Sequence, residues 1–407
     1  MANAKRPIEL DELVVYRKDL IAGVLKRTER GCLFQYAPEF LAHLDYQGLS
    51  YRMKKSPIPL SIQGVNLPTF FAGLLPEGLR LKALIKNVKT SEDDLFTLFA
   101  ASGSHVIGDV YAKTASVAHD KKPAPPKLRD IDFYDYFQEI LGKNTYASGE
   151  DTLAGVQEKI SASMISFPLN IAKETKSYIL KLNPKDKPSL IENELSTMTL
   201  AAKCGITTAK VKLVRDKNKN LGLLVERFDR VWNEGKKAFA LIHQEDACQF
   251  SDRYPADKYK LSFAEIVKNA AEIATAPQPT VLKLMRLYCF SYLVGNGDLH
   301  AKNISLFTAE DSGIIDLTPA YDLISTFVYG DQKMALKLDG KDDSITKKMV
   351  IQFGERFKVK APATEKMLDR LVSDVKRHAH ILESLPVEKK KQSALQQMMK
   401  RRLKDFS

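Results

Sequence analysis

At 407 residues the chain is too long for one compact core and fits two or three domains. Hydrophobic residues make up 44% of it, which excludes an intrinsically disordered chain, and the four cysteines, Cys32, Cys204, Cys248 and Cys289, form no CxxC pair that would suggest a zinc site or a disulfide frame. The formal net charge of +12, from 62 basic and 50 acidic residues, favours anionic partners such as nucleotide, nucleic acid or an acidic protein face.

The opening segment, MANAKRPIELDELVVYR, lacks an apolar signal core and a small-residue cleavage site. No window is apolar for long enough to span a bilayer. A cytoplasmic chain with reduced thiols and no membrane contact is therefore expected. Strand-like runs come first, at Leu13–Tyr16 and Cys32–Tyr36. An apolar run from Phe70 to Leu75 is closed by Pro76-Glu77-Gly78, and a helical stretch follows from Glu92 to Ala101. The composition breaks at 114–130, TASVAHDKKPAPPKLRD, where three prolines and few large apolar side chains mark a linker. An N-terminal domain over residues 1–113 is expected.

Beyond the linker, Tyr134–Leu141 reads as a short amphipathic helix, and Ser148 to Lys159 is polar and rich in small residues. Strand-like runs Ile160–Ile165 and Tyr178–Leu182 precede a helix in which Ile191, Leu195, Met198 and Ala202 recur at helical spacing. Gly205 suits its C-terminal cap. Two more strands, Ala209–Val214 and Leu221–Val225, flank a polar turn. Strand, loop, strand, helix, strand, strand is the order a kinase amino-terminal lobe needs, so a lobe over 131–233 is expected. From Gln244 onward the chain reads as mainly helical, giving a second lobe over 234–407. Its basic end, Lys389-Lys390-Lys391 and Lys400-Arg401-Arg402 with Lys404, reads as a solvated helix face or frayed tail. A phosphate-contacting patch is the alternative.

Phosphoryl transfer needs a cation on the phosphates, oxygen ligands for Mg2+ and a carboxylate for the acceptor hydroxyl. The segment Gly295-Asn296-Gly297-Asp298-Leu299-His300-Ala301-Lys302-Asn303 follows an apolar helix and precedes a strand hairpin. Asp322 comes just after that hairpin, in Thr318-Pro319-Ala320-Tyr321-Asp322. On a kinase reading Asp298 is the base, Asn303 and Asp322 ligate Mg2+, and His300 braces the loop or the metal-binding carboxylate. The alternative is a polar helix-to-strand turn in which these residues serve backbone geometry alone. Lys181 sits late in an apolar strand, where an ammonium without a partner is costly. It reads as the phosphate-binding lysine, with Glu194 as its candidate ion-pair partner; an edge-strand lysine and an exposed helix glutamate are the alternative. Glu226 and Phe228, at a strand end that could serve as an adenine-reading hinge, are candidates for nucleotide contact. His243 to Gln249 could cap a helix or line the ribose end of the cleft.

Taken in order, these segments resemble the HipA family of bacterial serine/threonine kinase toxins. The resemblance rests on Leu74-Leu75-Pro76-Glu77, Ala154 to Lys159, Ile179-Leu180-Lys181-Leu182, Glu192-Asn193-Glu194, Val225 to Arg230, Gln244-Glu245-Asp246, Asp298 to Asn303 and Leu317 to Asp322. It implies an α+β, two-lobed, protein-kinase-like fold with an extra N-terminal α/β subdomain and a mainly helical C-terminal lobe. It implies ATP and Mg2+, and transfer of phosphate to a serine or threonine of a protein, typically an aminoacyl-tRNA synthetase, which stalls translation. It also implies a helix-turn-helix antitoxin of the HipB kind, through which the pair binds operator DNA.

By the same resemblance Asp298, Lys181 and His300 are catalytic, and Asn303 and Asp322 hold the metal. Leu153, Ala154, Gly155, Val156, Gln157 and Glu158 form the nucleotide loop, and Glu226, Arg227, Phe228 and Lys302 complete the nucleotide site. Thr152 stands where the family phosphorylates its own serine, with Ser148 nearby. A small-molecule kinase on the same fold shares Asp-x-x-x-x-Asn and a downstream Asp, and an inactive scaffold is the third reading.

Overall fold

A computed structural model of the chain describes residues 11–64, 66–102, 106–114, 125–141, 164–184 and 189–406. Alternation decides its first sheet. In Glu12–Arg17 every second side chain, Leu13, Val15 and Arg17, is buried, the period of a strand with one face on a core. Five antiparallel strands lie in the order Leu60–Gln63, Gly31–Tyr36, Leu20–Thr28, Glu12–Arg17, Val110–Lys113. Phe34, Phe40, Phe70, Phe71 and Phe99 fill the core beneath them. The strand Leu20–Thr28, which the sequence reading passed over, returns from Glu12–Arg17 through a turn at Lys18, whose φ is 53°.

The last strand of this sheet ends at Lys113, but the helix Gly78–Val88 belongs elsewhere. Its Leu79 and Ala83 pack with Phe133, Phe137, Phe167 and Leu180, in the core of the next lobe. Among the described residues that lobe holds a four-stranded antiparallel sheet in the order Ile165–Asn170, Ser177–Leu182, Leu221–Glu226, Val211–Arg215. The helix Leu190–Lys203 follows the strand Ser177–Leu182 and buries Ile191, Met198 and Ala201 against the helical lobe below. Gly205, at φ 72°, turns the chain out of that helix. A hairpin, Arg230–Asn233 with Ala238–Leu241, straddles residue 233, so a lobe boundary drawn there divides a single unit.

Helices dominate the rest, with one correction: Gln244–Asp246 is a strand. It pairs with Ser305–Thr308, which pairs in turn with Ile315–Leu317. The central helix, Pro277–Val294, starts on a proline and buries every side chain from Leu287 to Val294, as a helix enclosed on all sides must. Helices Phe263–Ile273, Lys347–Arg356, Ala361–His378 and Lys389–Asp405 surround it. The basic end is therefore no frayed tail. It is a helix that buries Leu395, Met398, Met399, Arg402 and Leu403, while Lys389, Lys390, Lys391, Lys400 and Lys404 face solvent. All four cysteines are buried free thiols. Among the described residues, no helix is long and apolar enough to cross a membrane.

Candidate active site

The central helix delivers the motif. Gly295 adopts φ 72° and donates to the Ser291 and Tyr292 carbonyls, closing the helix and reversing the chain. A Cβ there would lie 2.7 Å from Met398 and 2.8 Å from Phe327, so glycine is required for space as well as for conformation. At Gly297 a Cβ would lie 2.5 Å from the Lys333 carbonyl oxygen. The Gly297 amide donates to the Thr326 hydroxyl at 2.8 Å.

Asp298 follows and is 2% exposed. Its carbonyl accepts from the His300 amide at 2.8 Å and from the Asn303 side-chain amide at 3.0 Å. That second bond commits the nitrogen of Asn303, which leaves the amide oxygen as the end able to meet a cation. The Asp298 carboxylate accepts from the Tyr259 hydroxyl at 2.9 Å. Tyr259 also meets the His300 ring edge-on, centroids 5.0 Å apart. Sequence reasoning missed Tyr259: it lies 39 positions before Asp298, in a loop with no motif of its own.

Lys181, on the strand Ser177–Leu182, is paired as the sequence suggested. Its ammonium lies 2.7 and 2.9 Å from the two carboxylate oxygens of Glu194, on the helix Leu190–Lys203. It also donates to Asp322 Oδ1. Burial alone would push Lys181 toward neutrality, but Asp322 and Glu194 outweigh it and hold the ammonium above its ordinary value. Glu194 is fully buried, and that burial lifts its carboxyl above the usual range while Lys181 pulls it back. Asp322 sits at φ 55°, the left-handed region. A non-glycine residue there costs about 1–3 kcal/mol and tends to mark a functional position. Its side chain is 37% exposed. Asn193 fixes the segment that follows, donating to the Ser325 carbonyl at 3.0 Å and accepting from the Ser325 amide at 2.9 Å.

Met164, Ser166, Lys181, Asp322 and Ile324 line a cavity of about 50 Å³. A larger groove of about 780 Å³ lies against the N-terminal sheet, lined by Phe34, Tyr36, Arg52, Phe70 and Tyr254 among others. None of the candidate catalytic residues borders it, so volume is a poor guide here and the charge cluster a better one. The donors suit Mg2+: an amide oxygen on Asn303 and a partly exposed carboxylate on Asp322 are hard ligands, and this ion keeps most of its shell for water and phosphate.

The remaining candidates divide. Glu226 pairs with Lys176 at 2.7 Å, and Phe228 packs on Tyr321 with ring centroids 6.0 Å apart. Arg227 is committed to Asp229 at 2.9 Å and to the Val106 carbonyl at 3.0 Å, so it ties this strand end to the N-terminal domain. The Lys302 ammonium is held by Asp246 and by the Gly73 carbonyl at 3.2 Å. The amine that the resemblance assigns to the nucleotide thus bridges the catalytic lobe and the N-terminal domain. Asp246 also accepts from the Gln249 amide in a capping box, so that segment does cap a helix. Ser148, Thr152, Leu153, Ala154, Gly155, Val156, Gln157 and Glu158 lie outside the described residues.

Comparison with known proteins bears on this geometry. The family model described as the HipA-like C-terminal domain matches residues 152–379, and that of the HipA N-terminal domain matches 13–113. The chain belongs to the HipA family. A protein of Sinorhizobium fredii named as a kinase, Y4mE, is 30% identical over 78% of this chain and 78% of its own length. The serine/threonine-protein kinase toxin HipA of Shewanella oneidensis is 28% identical over 75% of each chain. A Shewanella oneidensis structure of HipA with HipB and operator DNA superposes with a TM-score of 0.76 at 21% identity, covering 97% of this chain and 96% of that one. The chain thus has the two-lobed HipA fold, with the N-terminal domain added to it.

Proposed function

We propose that this chain is an ATP- and Mg2+-dependent serine/threonine-protein kinase of the HipA toxin type. The observation that carries the reading is the single ammonium of Lys181 held between buried Glu194 and Asp322. A lysine braced by a helix glutamate beside a metal-binding aspartate is the arrangement that grips nucleotide phosphates in protein kinases. Asp298 accepts the proton of the acceptor hydroxyl as its oxygen bonds to the γ-phosphorus, and ADP departs with the electron pair of the broken bond. Mg2+, held by Asn303 and Asp322, would neutralise charge on the phosphates. His300, packed on Tyr259, braces the segment.

Family membership supports the finer reading. The acceptor is a protein hydroxyl, an aminoacyl-tRNA synthetase being the target class, and its phosphorylation inhibits translation in the cytoplasm. A HipB-like antitoxin restrains the kinase and carries it to operator DNA, as the assembly in the Shewanella oneidensis structure suggests. Thr152 or Ser148 is the site of self-phosphorylation.

Incubation of the purified chain with γ-labelled ATP, Mg2+ and cell lysate tests this. A labelled protein band is expected, and Asp298→Ala should abolish it. A labelled metabolite in place of a protein band would make the chain a small-molecule phosphotransferase, and no transfer would leave a scaffold. Wild-type turnover by Asp298→Ala would remove the base from the scheme.

A further inference from the structure

We propose that Tyr259 is a positioning residue for phosphoryl transfer: its hydroxyl sets the direction in which the Asp298 carboxylate faces the acceptor. The inference rests on the reading of Asp298 as the base. The terminal torsion of an aspartate is soft, with no sharp staggered minimum. A donor 2.9 Å from one carboxylate oxygen selects one orientation from that broad range.

The tyrosine is built to stay in place. Its ring lies edge-on to His300, interplanar angle 80°, and the Lys258 ammonium lies 5.4 Å from its centroid. The Lys258 carbonyl accepts from the Ala301 amide at 3.1 Å, which zips the tyrosine loop to the catalytic segment. Lys258 also pairs with Glu77 of the N-terminal domain at 3.1 Å, so that domain braces the same loop. Burial, followed by the charge of Asp298, pushes the Tyr259 phenol far above its ordinary range, and it remains the donor. A ring pinned from several sides suits orientation of the base, not transient occupation of the acceptor's place.

Tyr259→Phe in the full chain tests the idea, with the lysate protein labelled by wild type as acceptor. The maximal labelling rate should fall about ten- to a hundredfold, the worth of one hydrogen bond to a charged group. The KM for ATP should hold, and the variant should remain folded at the assay temperature. An unchanged rate overturns the proposal. A faster one does too, and would mean that the phenol blocks the acceptor position. Should the phenylalanine variant unfold, Tyr259→His, which keeps a ring donor, must label faster than Tyr259→Leu; equal rates overturn the proposal. Asp298→Ala run in parallel separates the two claims. Wild-type turnover there defeats the base itself, whereas an inactive Asp298→Ala beside an unimpaired Tyr259→Phe defeats only the tyrosine.

Discussion

Lys181 donates to the carboxylate of Asp322 across 141 residues of sequence, and the same ammonium binds Glu194. The two carboxylates differ in surroundings: the Glu194 side chain is 0% exposed and that of Asp322 is 37% exposed. They should therefore fail differently. Asp322→Asn is expected to end phosphate transfer while thermal unfolding stays close to wild type, because Lys181 keeps its buried partner. Glu194→Gln should lower stability by about 3–5 kcal/mol, since it leaves a buried ammonium short of its enclosed counter-charge. Calorimetry of both variants beside a labelling assay checks this. Equal stability losses would contradict the division of labour.

Lys302 offers a test between two roles. The resemblance assigns it to the nucleotide, whereas its ammonium is spent on Asp246 and the Gly73 carbonyl. Burial would lower it, but Asp246 and then Glu77 hold it above its ordinary value. Lys302→Met should strand Asp246, 8% exposed, and cost about 3–5 kcal/mol in chemical denaturation. The KM for ATP should change little. A large rise in KM with unchanged stability would restore the nucleotide role.

What the sequence made legible was local. Helix periodicity located Leu190–Lys203, and the expected C-cap at Gly205 took its left-handed φ. The tight spacing of Asp298, His300 and Asn303 placed those groups on one turn, where the backbone bonds of Asp298 now tie them together. What stayed hidden was long-range. Tyr259 reaches Asp298 from a separate loop, which the Ala301 amide ties to the catalytic segment through the Lys258 carbonyl. Arg402 looked like one cation in a basic run until its helix packed on the central one. Strand Gln244–Asp246 is three residues of polar sequence, Gln-Glu-Asp, and its pairing with Ser305–Thr308 has no period to betray it.

His243 predicts a pH dependence of the domain junction. Its Nδ1 lies 2.6 Å from Asp109 and its Nε2 lies 2.9 Å from Glu245, all three buried. Both ring nitrogens can donate only in the imidazolium form. Arg17 holds Asp109 from its other side at 3.0 Å, and Tyr51 meets the ring edge-on and donates its amide to Glu245. Burial would lower His243, but Asp109 outweighs it and the net shift is upward. Stability from a raised imidazolium is complete below its unfolded value, about 6.5, and is lost as pH rises through the higher folded one. Burial opposes ionisation of Asp109, yet His243 and Arg17 depress it well below the carboxylate range. Its contribution is complete above about 3.9 and is lost as pH falls toward the folded value. The junction should thus be firmest from about pH 4 to 6.5 and weaken on the alkaline side. Melting temperatures measured above about pH 6.5 should fall with rising pH in wild type and flatten in His243→Gln. An unchanged slope in the variant would show that His243 does not titrate between the folded and unfolded states.

Arg402 closes the helical lobe over the catalytic segment. It is 1% exposed, donates to the Tyr292 carbonyl at 2.6 Å and the Gln332 carbonyl at 2.8 Å, and pairs with Asp343 at 2.9 Å. Its guanidinium carbon lies 4.3 Å from the Tyr292 ring centroid. Tyr292 stands three residues before the glycine that starts the motif, so the guanidinium grips the root of the loop carrying Asp298. A lysine cannot reproduce a planar fork that reaches two carbonyls and a carboxylate at once. Arg402→Lys is therefore expected to destabilise the chain nearly as much as Arg402→Met, by about 3–5 kcal/mol. Lys400→Met, two positions away on the exposed face, should stay within about 0.5 kcal/mol of wild type. Denaturant midpoints for the three variants decide the matter. If Arg402→Lys retained wild-type stability, charge alone would hold this helix, and the geometry of the fork would be incidental.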